Sequence, residues 1–191
     1  KIKEWDYYAV LNDKFGIALT VADNGYFGTG VITVFDFTIP KEWTKQVLVP
    51  FPMGKFKMPE SSETGTVIFH EENFFIRFKK KDRITKLEAR IKDFHEGQNL
   101  EADIELEEVN KDSLMIATPF YKPKKFYYNH KVNNLSPKGL VKFGNRVLDF
   151  SAEPSDGVFD WGRGVWTYNN TWYWGSASGL VDNVPFGFNI G

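Results

Sequence analysis

One acid and one base, Asp160 and Arg163, stand among four tryptophans in the segment DWGRGVWTYNNTWYWGSASG, residues 160–179. Two chemistries fit that composition. A buried carboxylate is costly unless it is paired or neutralised. Paired with Arg163, Asp160 is an ionised structural bridge with a lowered pKa. Facing the indoles without Arg163, it has a raised pKa and can donate a proton, and the aromatic wall then stabilises a developing cation. Residue types alone leave both arrangements open.

The aromatic residues follow a period of two. In TWYWGSAS, Trp172 and Trp174 share one face and Tyr173 takes the other; in GVWTY, Trp166 and Tyr168 share a face. A tryptophan buries roughly 150–250 Å², so four of them are not expected to stand exposed together. Either a plugged barrel or an aromatic-walled cavity results. The glycines at 162, 164, 175 and 179 then read as places of close backbone approach.

Of the three histidines, His95 sits in the turn HEGQ and His70 ends a strand. His130 differs. In FYYNHKV, alternation puts Phe126, Tyr128, His130 and Val132 on one face and Tyr127, Asn129 and Lys131 on the other, so His130 is expected to point inward. No His pair has metal-ligand spacing, and no metal is expected. Nucleophile-elbow, phosphate-loop and dinucleotide-binding patterns are missing too, so no cofactor is expected. With no cysteine, disulfide scaffolds and thiolate nucleophiles are excluded.

The elements that must position these residues are strands. In NLEADIELEE, Leu100, Ala102, Ile104 and Leu106 alternate with four acids, and TKLEARIKDF alternates likewise, with HEGQ between them as a turn. This predicts a hairpin with one solvated face, the acids lying across from Arg90 and Lys92, with Arg77 and Lys79 on a further strand. Similar short strands recur along the chain, separated by turn signals such as ADNGY and FGNR. The only helical candidate is KEWTKQV, about two turns. Many strands without crossover helices indicate a meander sheet closed as a barrel or folded as a sandwich.

Two stretches break that rhythm. VPFPMGKFKMPESSE contains Pro50, Pro52 and Pro59, which forbid a central strand; it is either a cover for the barrel mouth, through Phe51, Met53, Phe56 and Met58, or a loop pinned to the surface. TPFYKPKK is either a basic linker between domains or a loop within one, and the family resemblance given below implies the loop.

A chain of 191 residues buries roughly 70% of its unfolded surface, enough for a substantial core. Its formal charge of −1 gives no long-range field toward nucleic acid or anionic lipid. No apolar run suits a membrane helix, and no signal peptide precedes Lys1, so no integral membrane segment and a cytoplasmic location are expected. The start without methionine and the strand-like end VPFGFNIG suggest a piece of a longer protein.

Several of these stretches look like a known family. KEWDYYAVLND, GIALTVADNGY and above all DWGRGVWTYNNTWYWGSASG resemble the domain of unknown function family 2804, over nearly the whole chain. More distantly, the order E-W-x-Y, a YY strand, the GLVKFGNRVLDF hairpin and then an acid before W-G is similar to the lipocalin-like family of hydroxyneurosporene synthase, a carotenoid hydratase. That likeness implies a β-domain followed by a second lipocalin-like domain, and a reaction adding water across a terminal alkene from an acidic proton donor. The family's acid stands a few residues ahead of W-G, whereas Asp160 directly precedes Trp161.

The expected fold is therefore an all-β, antiparallel, lipocalin-like (calycin-type) barrel over residues 1–180, with 181–191 opening a following strand or second β-domain. Three functions fit it. The first is binding of a hydrophobic or amphipathic small molecule in a cavity walled by Tyr128, Trp161, Arg163, Trp166, Tyr168, Trp172 and Trp174. The second is a hydratase-like or isomerase-like enzyme in which Asp160 gives a proton and His130 or Tyr128 orients water. The third is a structural domain with a filled core and no ligand.

Overall fold

The computed structural model describes residues 2–110 and 112–190, and among these described residues alternating apolar positions and turn residues give fourteen strands and no helix. One meander comprises β1 (Lys3–Leu11), β2 (Phe15–Asp23), β3 (Phe27–Asp36) and β4 (Lys41–Pro50). A second comprises β5 (Gly65–Glu71), β6 (Phe74–Lys81), β7 (Ile84–His95) and β8 (Gln98–Glu108). Then follow β9 (Leu114–Pro119), the long β10 (Phe126–Phe143), β11 (Arg146–Asp149), β12 (Asp156–Val165) and a hairpin of β13 (Gly175–Val181) and β14 (Val184–Ile190).

Ten strands form one antiparallel, nearly closed barrel-shaped sheet in the order β4-β3-β2-β1-β12-β10-β8-β7-β6-β5. Insertion of β12 between β1 and β10 joins the two meanders. The end of the barrel where β1 begins is termed the upper end. There β10 pairs with β9, Phe126 opposite Pro119; further down it pairs with β8, Phe143 opposite Leu100. β4 and β5 are the last strands of the sheet. Side chains tie β4 to other strands of the barrel: Trp43 meets the Phe143 ring of β10 at 5.3 Å, and Lys45 Nζ donates to the Asp93 carbonyl of β7 at 3.0 Å.

The β7–β8 hairpin forms as its alternation requires. Leu87, Ala89, Ile91, Leu100, Ala102, Ile104 and Leu106 are buried, and Arg90 reaches Asp103 at 2.6 Å on the opposite face. KEWTKQV, in contrast, is strand β4 and not a helix. It pairs with β3 from Lys41 opposite Asp36 to Pro50 opposite Phe27. Two helical turns cannot offset their nucleation cost, whereas a continuous ladder satisfies every second backbone group at once.

The loop after β4 both covers the upper end and is pinned to it. Phe56 packs on Phe69 at 5.3 Å and Met58 is buried, while Phe51 and Met53 face outward. Asp23 fastens the first half, accepting from the Gly25 and Gly54 amides at 2.8 and 2.7 Å. A Cβ at position 28 would lie only 2.5 Å from the Phe56 ring, which explains why Gly28 stands beneath the loop.

The expected break at residue 180 falls within a hairpin. β13 and β14 pair from Gly175 opposite Ile190 to Val181 opposite Val184, through a two-residue turn in which Asp182 and Asn183 both take positive φ. This hairpin is a separate sheet lying on the outer face of β10. Asn133 and Asn134, at a β-bulge, hold it through Ser176, Ala177 and Ser178.

Candidate functional site

The strands β1, β12 and β10 lie side by side, so their registers place nine residues in a grid on each face. On the outer face the rows are Lys3–Gly164–Tyr127, Trp5–Gly162–Asn129 and Tyr7–Asp160–Lys131. On the inner face they are Glu4–Arg163–Tyr128, Asp6–Trp161–His130 and Tyr8–Phe159–Val132.

Asp160 is buried on the outer face and is fully partnered. Its Oδ1 accepts from Trp5 Nε1 at 2.9 Å and Asn129 Nδ2 at 2.7 Å, and its Oδ2 pairs with Lys131 Nζ. Trp174 covers this pair: Lys131 Nζ lies 4.4 Å from its ring, and Tyr7 meets it edge-on at 5.8 Å. Above it, Trp5 stacks on Tyr127 at 6.1 Å and meets Trp166 at 5.4 Å, and Trp166 continues to Trp172 at 5.4 Å. Gly162 is required here, because a Cβ would come within 2.0 Å of the Trp5 indole. Burial, and secondarily the Asp160 charge, raises the pKa of Tyr7 and pushes that of Tyr127 up to about 12.

The expected Asp160–Arg163 bridge does not form. Residues three apart in a strand point to opposite faces, so Arg163 lies inside, where it pairs with Glu4. Asp160 and His130 are separated by the sheet for the same reason, and cannot act together. The expected cavity wall is divided likewise. Tyr128, Trp161 and Arg163 face inward, whereas Trp166, Trp172 and Trp174 lie outside and Tyr168 is 100% exposed.

The inner face gathers polar groups that sequence reasoning overlooks. Asp6 is 7% exposed, and its Oδ1 has no hydrogen-bond partner. Desolvation raises its pKa from 3.8 to about 7, against the opposing pull of the Lys80 ammonium. His130, in the same row, shares a hydrogen bond with Ser62 Oγ through Nδ1 at 2.9 Å, while its Nε2 is unpartnered. Burial and then Lys80 lower its pKa, only partly offset by Glu108 and Glu63. Lys80 itself pairs with Glu108 at 2.5 Å and lies 4.9 Å from the Phe159 ring.

Asp6, Tyr8, Ser62, Phe78, Lys80 and Phe159 line a cleft that the loop from Pro59 to Gly65 closes from above. As it stands the cleft has room for about one water molecule. Beside it, Tyr128 meets Trp161 edge-on at 5.4 Å, and burial lowers the Arg163 pKa and leaves its Nε without a partner. Among the described residues, no three His, Asp or Glu side chains converge as a metal site.

The signal for Asp6 is present in EWDYYAV, where alternation sets an acid between Glu4 and Tyr8 on the face that carries Tyr8 into the core. Lys80 and Ser62 give none, since β6 and the loop after β4 meet the inner face of β1 only in the folded barrel.

Comparison with known proteins gives one match: the family model described as Domain of unknown function (DUF2804) covers residues 1–191, and the chain belongs to that family. No curated protein matches the chain, and neither does any solved structure.

Proposed function

We propose that this member of the DUF2804 family binds one small amphipathic molecule at the inner-face cleft. Its polar group sits between Asp6, His130 and Lys80, and its apolar part lies against Tyr8, Phe78 and Phe159. The observation that carries this reading is two buried, unpartnered atoms in one row on either side of Trp161: Asp6 Oδ1, which lines the cleft, and Nε2 of His130, which reaches it through Ser62. Each such atom costs roughly 1–3 kcal/mol when left unpaired, and a ligand offering a donor to one and an acceptor or donor to the other offsets that cost. Entry requires the Pro59–Gly65 loop to lift, which breaks the Ser62 contact with His130. A lipocalin-like use of the barrel and a location in an aqueous compartment are consistent with this reading.

A second reading is favoured by the Asp6 carboxyl. With a pKa of about 7 it holds and releases a proton near neutrality, in a cleft walled by Tyr8, Phe78 and Phe159. A cofactor-independent hydratase-like or isomerase-like step on an alkene-type substrate would use Asp6 as the donor. Asp160 suits that role less, because its two oxygens already take three hydrogen bonds.

Native mass spectrometry of the purified protein, followed by solvent extraction, tests the binding reading. The expected result is one stoichiometric compound with an apolar part, lost from Asp6→Leu and His130→Ala while both variants retain cooperative melting. A clean extract from the wild type, with no added amphiphile raising its melting temperature, overturns it. Turnover that survives Asp6→Asn would end the enzymatic reading.

A further inference from the structure

The connections of the barrel divide by charge between its two ends. The upper ones, residues 24–26, 51–64, 82–83, 109–113, 120–125 and 166–174, contain seven bases and four acids. The lower ones, residues 12–14, 37–40, 72–73, 96–97, 144–145 and 150–155, contain four acids and one base. A formal charge of −1 for the whole chain conceals this separation.

The upper acids are Glu60, Glu63 and Asp82, in the cleft loop and the β6–β7 turn, and Asp112, in the β8–β9 connection. Segments 24–26, 51–58, 120–125 and 166–174 hold five lysines and no acid. The same segments expose large apolar side chains: Tyr26, Phe51, Met53, Tyr121, Trp172 and Tyr173. In the lower connections only Phe37 and Ile39 are exposed in this way among the described residues. Lys3 ties two of the upper segments together, with its Nζ 4.6 Å from the Trp166 ring and 6.0 Å from the Tyr26 ring.

The outward position of Phe51 and Met53 is imposed by the backbone. Both take positive φ, 49° and 54°, which bulky residues rarely adopt, and the Asp23 contact to the Gly54 amide holds the loop there. Two apolar side chains are thus kept in solvent at the cost of local strain.

We propose that the upper end docks on a membrane surface bearing anionic lipid headgroups, the lysines meeting the anionic groups and the aromatic side chains seated at headgroup depth. Tyrosine and tryptophan favour that depth, and each lysine near an anionic surface adds roughly 1 kcal/mol of attraction. A second copy of the chain fits poorly, because its own upper end would repel this one. A single-stranded nucleic acid fits poorly as well: it needs a groove to track, and these residues stand on the tips of separate loops. The cleft closes beneath Pro59–Gly65 at this same end, but the docking does not rest on any ligand there.

Flotation with two vesicle preparations tests the proposal, one of phosphatidylcholine and one of equimolar phosphatidylcholine and phosphatidylserine. The protein is expected on the second only, with binding weakened by salt and tryptophan emission shifted to the blue on binding. Replacing Lys122, Lys124 and Lys125 together by Gln lowers affinity on the order of 100-fold. Trp172→Ser with Tyr173→Ser weakens binding at an unchanged melting temperature. Equal recovery on both vesicles, no recovery on the anionic ones, an unaffected triple Gln variant, or retention of a single-stranded oligonucleotide in place of vesicles each overturns it.

Discussion

The two faces of β1, β12 and β10 carry the same kinds of side chain and do opposite things with them. On the outer face a buried acid, Asp160, meets a lysine, an indole N–H and an amide N–H, and its two oxygens are satisfied. On the inner face a buried acid, Asp6, is left with an unpartnered oxygen and a raised pKa, and two strands away, across Trp161 in the same row, His130 has an unpartnered nitrogen. The outer network is not complete, since Asn129 Oδ1 has no partner, but its ionised carboxylate is satisfied, whereas on the inner face the carboxyl itself is left short. The outer tryptophans therefore read as a clamp that holds the charged pair away from water, and the site proposed above lies on the other face.

The largest test of that contrast removes a partner outside. Lys131→Met strands the buried Asp160 carboxylate and is expected to cost about 3–5 kcal/mol in denaturant unfolding, part of which returns when Asp160→Asn is added. A cost under about 1 kcal/mol would mean that the Asp160 carboxylate does not depend on Lys131 in this way.

On the inner face pH is the sharper probe. Because the Asp6 pKa rises from 3.8 to about 7 on folding, the native state binds a proton there that the unfolded chain has lost. Its contribution to stability is complete below about 4 and is lost as pH rises through about 7, a fall of up to roughly 4 kcal/mol. His130 acts the other way: its lowered pKa takes stability away as pH falls below its usual 6.5. The difference between wild type and Asp6→Asn, melted from about pH 4 to about pH 8, isolates the first effect and should grow with pH in favour of the variant. A difference independent of pH would remove Asp6 as the titrating group.

Smaller effects refine the clamp. Gly162→Ala pushes a methyl group into the Trp5 indole that Asp160 and Tyr127 hold in place, and is expected to cost about 1–3 kcal/mol in thermal unfolding. Trp172→Ala, at a side chain 65% exposed, should change stability by no more than about 0.5 kcal/mol. A large loss there would extend the clamp to the loop tip.

Much of the fold is legible because period two is a local signal. It yields the β7–β8 hairpin with its buried row, and it turns His130 inward and Lys131 outward. Carried consistently, it also separates Asp160 from Arg163, since an odd spacing along a strand reverses the face. The aromatic segment misleads because tryptophan density suggests one wall, whereas Trp161 lies inside the barrel and Trp166, Trp172 and Trp174 follow the chain across the outside. KEWTKQV misleads because an isolated stretch carries no record of the β3 ladder that claims it.

The sequence by itself determined the all-β class and, in the clearly alternating strands such as β7, β8 and β10, the face of each side chain, because these depend on neighbours one or two positions away. Only the tertiary structure decided which faces meet. The pairing of β1 with β12 joins Asp6 to Trp161 and Tyr7 to Asp160 from opposite ends of the chain, and the closed sheet then brings Lys80 to Asp6. The separation of charge between the two ends has the same origin: a net charge is a sum over the chain, but the topology sorts alternate connections to opposite ends of the barrel.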